Sequence, residues 1–205
     1  MIGDGAMHKE NPAMKKEKIT IYTPLCEEQI LALRAGDRVY LSGTIYTARD
    51  AAHQRMLESV EKGETLPFSL EGAVIYYAGP TPAREGRVIG SIGPTTSSRM
   101  DGMTLPLLKR GLKGMIGKGS RALSVVQGIQ EYKAVYFAAV GGAGALISNA
   151  IQSAEVVAYE DLGPEAIRKL QVREMPLIVA IDSLGNNLYE TEPLKYRKLF
   201  SSEST

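Results

Sequence analysis

Strand-like and helix-like segments alternate along most of this chain with no long Ser- or Pro-rich linker between them, an order that restricts the fold to a mixed α/β domain. The run from Lys18 to Thr23 alternates and is rich in β-branched residues, and Pro24 ends it. A short helical pattern from Glu27 to Leu33 is broken at Ala35-Gly36-Asp37 before the strand pattern Arg38 to Thr47. Gly43 inside that pattern weakens the strand but permits a bulge or a close backbone approach. A helix is expected from Ala48 to Gly63, with Asp50 in its first turn. Strands are expected at Gly72–Gly79, Arg87–Gly93, Lys113–Ile116, Ala134–Ala139, Glu155–Tyr159 and Leu177–Asp182. Helices are expected at Met103–Arg110 despite Pro106, Ala122–Glu131, Ala143–Ile151 and Ala166–Val172. The stretch from Asn186 onward reads as polar and irregular, with one turn near Tyr196. Residues 1–17 are expected to form a flexible amino-terminal segment and 18–205 one domain.

A chain of 205 residues can bury roughly 70% of its extended-state surface, so a stable core is expected. With 24 Lys and Arg against 23 Asp and Glu, charge gives no case for a nucleic-acid surface. A local cluster of cations can still bind an anion. The single Cys26 supplies neither an intrachain disulfide nor a cysteine-based metal cluster, and two histidines leave little for a histidine-rich one. No apolar run approaches the ~18 residues of a membrane span, and the first twenty residues lack a secretory signal pattern. A soluble, cytoplasmic protein is the expectation.

Three segments could carry chemistry. In Thr47-Ala48-Arg49-Asp50 a strand meets a helix, a place from which a guanidinium can hold a carboxylate bidentately while helix N–H groups favour the same charge. The plainer reading is an Arg49–Asp50 surface pair or cap, and His53 nearby reads first as a structural imidazole. In Gly93-Pro94-Thr95-Thr96-Ser97-Ser98-Arg99 hydroxyls and turn amides can bind an oxyanion and Arg99 can donate to a carboxylate, although Ser and Thr also serve as caps. Lys118, between Gly117 and Gly119, can enter a narrow site, but the GxxxxGK[ST] nucleotide loop is incomplete. Gly141-Gly142 reads as a tight turn, and Asp182 with Asn186 and Asn187 as a loop organised by Asx hydrogen bonds.

Taken in order, VYLSGTIYTARDAAHQRM, IYYAGPTPA, GSIGPTTSSRMDGMT, MIGKGS and VAIDSLGNNLYE resemble the landmarks of class I (iron-sulfur) fumarate hydratase and L(+)-tartrate dehydratase beta chains. Ser98 departs from the Gly that many such loops carry, which bears on loop width. The resemblance implies a swivelling three-layer β/β/α domain with a mixed sheet. It implies Arg49, Arg99 and Lys118 as binders of a C4 dicarboxylate and Thr95 as the base that removes a carbon-bound proton. His53, Asp50 and Thr96 are supporting candidates. A threonine hydroxyl is weakly basic, so that role requires activation by a neighbouring charge or a partner. The implied cofactor is a [4Fe-4S] cluster ligated by an alpha subunit, whose iron polarises the substrate hydroxyl and carboxylate. An alpha2-beta2 assembly follows, with a beta-beta homodimer when the chain is isolated. Fumarate–malate interconversion is the leading activity. Tartrate dehydration to oxaloacetate and noncatalytic dicarboxylate binding are the alternatives.

Overall fold

The computed structural model describes residues 18–139 and 144–193. The expectations for residues 1–17, for the Gly141-Gly142 turn and for a turn near Tyr196 lie outside the described residues. In chain order the elements are β1 (Ile19–Tyr22), α1 (Glu27–Ala32), β2 (Arg38–Thr47), α2 (Asp50–Glu61), β3 (Val74–Tyr76), α3 (Asp101–Leu108) and β4 (Gly114–Gly117). They continue with α4 (Leu123–Glu131), β5 (Val135–Ala138), α5 (Gly144–Asn149), β6 (Ile151–Ala158) and β7 (Ile167–Ile181). Short 3-10 segments precede α3 at Ser97–Met100 and join β6 to β7 at Glu160–Glu165.

The sheet runs β1-β2-β3-β4-β5-β7-β6, and β2 also pairs with β7, so the five strands β2, β3, β4, β5 and β7 close into a barrel-like ring. Within it β2 to β5 are parallel, and β7 returns antiparallel to both β5 and β2. The register of β2 against β7 shifts between Leu41 and Gly43. Gly43 sits there at φ +114°, and a Cβ on it would fall 2.3 Å from Thr23 Oγ1. Bulge and close approach, the two uses expected of this glycine, occur together.

Strand residues alternate between two apolar layers. Val74, Tyr76, Ile116, Val135 and Phe137 point into the ring, where they meet Leu41, Leu170 and Leu177. Ile75, Met115 and Tyr136 point outward onto Ala52 and Met56 of α2, Leu107 and Leu108 of α3, and Val125 and Ile129 of α4. Covering both faces explains why β3, β4 and β5 are apolar at every position. The result is a mixed α/β domain with helices packed on the parallel side.

Three sequence expectations are corrected. Arg87–Gly93 is not a strand: Thr81 N–H donates to Ser91 O (3.0 Å) and the Tyr76 hydroxyl to Ile92 O (2.8 Å), so this loop folds on itself over the barrel end. Ile89 and Ile92 are buried three residues apart while Val88 is exposed, so its alternation is not used. Ala166–Val172 is not a helix but the start of β7, because β2 and β6 claim its two edges. Ladder pairing on both sides, with Leu170 and Val172 turned inward, overrides the helical preference of AIRKLQV. Residues 188–193 are helical rather than irregular, and Asn187 Oδ1 accepts the Tyr189 N–H (3.1 Å) in the manner of an N-cap.

Candidate active site

Parallel strands end side by side at one edge of the ring, the usual place for ligands in α/β sheets. Their pairing runs one residue past the strand ends: Ala48 N–H donates to Tyr76 O (3.2 Å), Tyr77 N–H to Ile116 O (2.8 Å) and Ala139 N–H to Gly117 O (3.0 Å). Beyond that point the segment 94–97 is wedged between the continuations of β3 and β4. Thr95 N–H donates to Tyr77 O (2.7 Å), Lys118 N–H to Thr95 O (3.3 Å) and Ser97 N–H to Lys118 O (2.9 Å). Thr96 and Lys118 therefore pair as in a parallel sheet. The wedge brings Thr95, half-buried, beside the exposed Thr96 and Lys118. A Cβ at Gly117 would lie 2.0 Å from Ser97 Oγ, so the close approach depends on that glycine.

Arg49 is the residue before α2, and it has no acceptor with which to cap that helix. The cap comes from Glu165, at the end of the 3-10 segment ahead of β7. Its Oε2 accepts the Ala51 N–H (3.1 Å), and its Oε1 lies 3.5 Å from Arg49 Nη2. An internal carboxylate thus lies against both the guanidinium and the helix terminus that sequence reasoning reserved for a ligand. Arg99 Nε lies 2.9 Å from Asp50 Oδ1, an ion pair that ties the Ser97–Met100 segment to the first turn of α2. Around this turn two guanidiniums and two carboxylates alternate in charge. With Lys118 the edge carries one net positive charge.

His53 is fully buried one turn further along α2. Its Nδ1 is 2.9 Å from Arg49 O, and a carbonyl only accepts, so Nδ1 carries the hydrogen. Burial pushes its pKa down to about 4, against which the Arg49 carbonyl contact works in the opposite direction. The imidazole is neutral near pH 7, and it meets Tyr77 edge to face at 5.3 Å. Arg49 Nε, Asp50 Oδ2, His53 Nε2 and the Tyr77 hydroxyl are buried without a hydrogen-bond partner among the described residues. These orphaned polar atoms concentrate on the first turns of α2 and the end of β3.

Behind the wedge lies a polar network that the sequence reading missed. Tyr136 donates its hydroxyl to Gly119 O (2.9 Å) and so accepts from the Ser97 hydroxyl (2.8 Å), linking the loop of Thr95 to the loop of Lys118. Burial pushes the Tyr136 phenol up, so it stays protonated. Arg121 fills the space between Tyr77 and Tyr136, 5.4 and 5.1 Å from the two rings. It is held by Asp101 (2.6 Å) and the Thr104 hydroxyl (2.9 Å), and Asp101 Oδ2 also accepts the Ala122 N–H (2.7 Å) that opens α4. Asp182, by contrast, is the loop organiser expected of it, accepting from Leu184 and Asn186 amides, the Asn186 side chain and Ala35 N–H.

Clefts of about 350, 520 and 600 Å³ open elsewhere, the first two against the 80–91 loop and the third beside Gly43 and Glu174. None of these three is lined by Arg49, Thr95, Arg99 or Lys118, which lie on an open edge. Among the described residues no three His, Cys, Asp or Glu side chains are grouped to hold a metal ion. Cys26 is exposed at the start of α1, with its Sγ 3.5 Å from Gln29 Oε1. With one cysteine in the sequence and no such group among the described residues, the donors present do not fit an iron-sulfur cluster.

The family model described as "Fumarase C-terminus" matches residues 4–192. A Methanocaldococcus jannaschii protein, provisionally named L(+)-tartrate dehydratase subunit beta, is 40% identical over 185 residues, covering 87% of this chain and 95% of that one. The L(+)-tartrate dehydratase subunit beta of Escherichia coli is 35% identical over 176 residues, covering 83% and 86%. The aerobic class I fumarate hydratase of Salmonella typhimurium is 34% identical over 177 residues, which cover 84% of this chain but 30% of that enzyme.

Proposed function

Since this chain belongs to the fumarase C-terminus family, we propose that it is the beta-type subunit of a hydro-lyase for C4 dicarboxylates. The observation that carries the reading is the gathering of Arg49, Arg99, Lys118 and Thr95 at one open edge, just past the ends of β2 and β4 and on the segment wedged between β3 and β4. Two directed guanidiniums suit two carboxylates, and the ammonium adds charge without fixed direction. Arg49, Arg99 and Lys118 would bind and orient the dicarboxylate, with Thr95 as the base for the carbon-bound proton. His53, Asp50 and Thr96 would support them. A partner alpha chain would cover the edge and hold the [4Fe-4S] cluster, for which the described residues of this chain offer no donor set. An alpha2-beta2 particle is the assembly proposed. The closed sheet, with its two apolar layers and helices on one side, would be the swivelling three-layer domain.

Fumarate–malate interconversion is the first activity proposed, on the Ala48-Arg49-Asp50-Ala51-Ala52-His53 segment. Tartrate dehydration is the second, favoured by the near end-to-end coverage of relatives named as separate tartrate dehydratase beta subunits. The test is anaerobic assembly with a cluster-bearing alpha chain, followed by parallel assays on malate and tartrate. The chain alone should be inactive and the pair should turn over one of the two. No turnover of either, with assembly and an intact cluster verified, would leave only dicarboxylate binding or a scaffold role.

A further inference from the structure

We propose that Glu165 is a positioning residue that sets the guanidinium of Arg49 for a substrate carboxylate, an inference that rests on the function proposed above. Glu165 is far from the other site residues in sequence. Its backbone is fixed on each side. The Arg168 guanidinium donates to Gly163 O (3.0 Å), Pro164 O (3.3 Å) and Ala166 O (3.2 Å). The Thr47 hydroxyl donates to Ala166 O (3.3 Å) and accepts the Arg168 N–H (3.0 Å). Pro164 O in turn lies against Gly79, where a Cβ would sit 2.7 Å from that oxygen and 3.1 Å from Arg49 Nη1. The carboxylate is therefore delivered to the start of α2 by a rigid support, 26% exposed at its side chain.

From that support Glu165 does two things at once. One oxygen satisfies the helix amide of Ala51, and the other faces Arg49 Nη2 at 3.5 Å, longer than the ~2.7–2.9 Å of a full charge-assisted hydrogen bond. The contact restrains the guanidinium without using up its donors. Arg49 Nε is buried and without a hydrogen-bond partner among the described residues, and Nη1 is held over Gly79. A free arginine side chain loses rotamer entropy when it is ordered, and a support that orders it beforehand removes much of that cost from ligand binding. Asp50 does the same for Arg99 from the adjacent position of the same helix turn. A helix cap alone would require only the Ala51 contact.

Glu165→Gln keeps the shape and one acceptor but removes the charge and the ability to accept from both partners. In the assembled enzyme, on whichever of malate or tartrate the wild type turns over, KM should rise at least tenfold while kcat stays within about threefold. In an Arg49→Lys background the same change should alter KM by less than twofold. Arg49 is also read directly in the isolated chain labelled with 15N-arginine. Its Nε–H should give a distinct, slowly exchanging resonance that Glu165→Gln moves to the averaged position of exposed arginines. An unchanged KM with only a lowered melting temperature, or an effect as large in the Arg49→Lys background, would make Glu165 a cap and overturn the inference. A fall in KM would also overturn it, by showing that Glu165 competes with substrate. If the wild-type pair is inactive, the functional reading fails on its own, and the Arg49 resonance decides whether Glu165 positions that side chain.

Discussion

Tyr136→Phe removes one hydroxyl from the junction behind the Thr95 and Lys118 loops and leaves the ring, so no cavity is made. Two groups lose their partner: the Ser97 hydroxyl, which is fully buried, and Gly119 O, which is partly exposed. A buried donor left unpaired costs about 1–3 kcal/mol, whereas water can solvate the carbonyl, so the variant should lose about 2 kcal/mol. For a chain of this size that lowers the melting temperature by roughly 4–8 °C. Ser97→Ala alone leaves Tyr136 bonded to Gly119 O and should cost about 1 kcal/mol, one ordinary hydrogen bond. In the double variant no donor is orphaned, so the loss should be about 1 kcal/mol smaller than the sum of the single losses. Urea unfolding of the four chains measures this cycle. Strict additivity, or a Tyr136→Phe loss under about 0.5 kcal/mol, would refute the hydrogen-bond chain from Ser97 through Tyr136 to Gly119.

His53 gives a pH-dependent prediction. Its pKa lies at about 4 when folded against an ordinary 6.5, so its contribution is intact above pH 6.5 and is lost as the pH falls toward 4, because the unfolded chain takes up the proton first. At about 1.4 kcal/mol per pH unit this amounts to about 3 kcal/mol across that window, and His53→Gln should flatten the dependence of the urea midpoint there. A His53 imidazole titrating between pH 6 and 7 by NMR would contradict this. Gly79→Ala drives a methyl group onto Pro164 O and Arg49, and should cost about 1–3 kcal/mol and raise KM in the assembled enzyme. Gly93→Ala, with open space at its Cβ, should leave the melting temperature unchanged. Asp182→Asn places an amide NH₂ among N–H donors that the carboxylate now satisfies, and should cost about 3 kcal/mol in the same unfolding assay.

The alternation of strands and helices was legible because burial of β3, β4 and β5 on both faces leaves continuous apolar runs in the sequence. Closure of the ring was not, since it depends on β7 pairing along both edges, and its first half carries residues that read as a helix. The loop over the barrel end was misread for a related reason: Ile89 and Ile92 are buried by tertiary packing and not by strand periodicity. Arg49, Arg99, Lys118 and Thr95 could be picked out as candidates because they lie in short, distinctive segments between elements. Their supports could not, because Glu165 and Tyr136 act from distant positions. One signal was present. The helices α2 and α4 follow Arg49 and Ala122, neither of which offers a side-chain acceptor, so each terminus needed a carboxylate from elsewhere. Glu165 and Asp101 are those carboxylates.

Under the proposed function, the cations of this chain meet a reactive centre that another chain provides. A structure of the assembled pair with a bound dicarboxylate tests that most directly. The two carboxylates should lie on Arg49 and Arg99, with Thr95 facing the carbon that loses its proton and the partner's cluster closing the far side. Arg49 and Arg99 on outer surfaces of the particle, away from the dicarboxylate and the cluster, would contradict it.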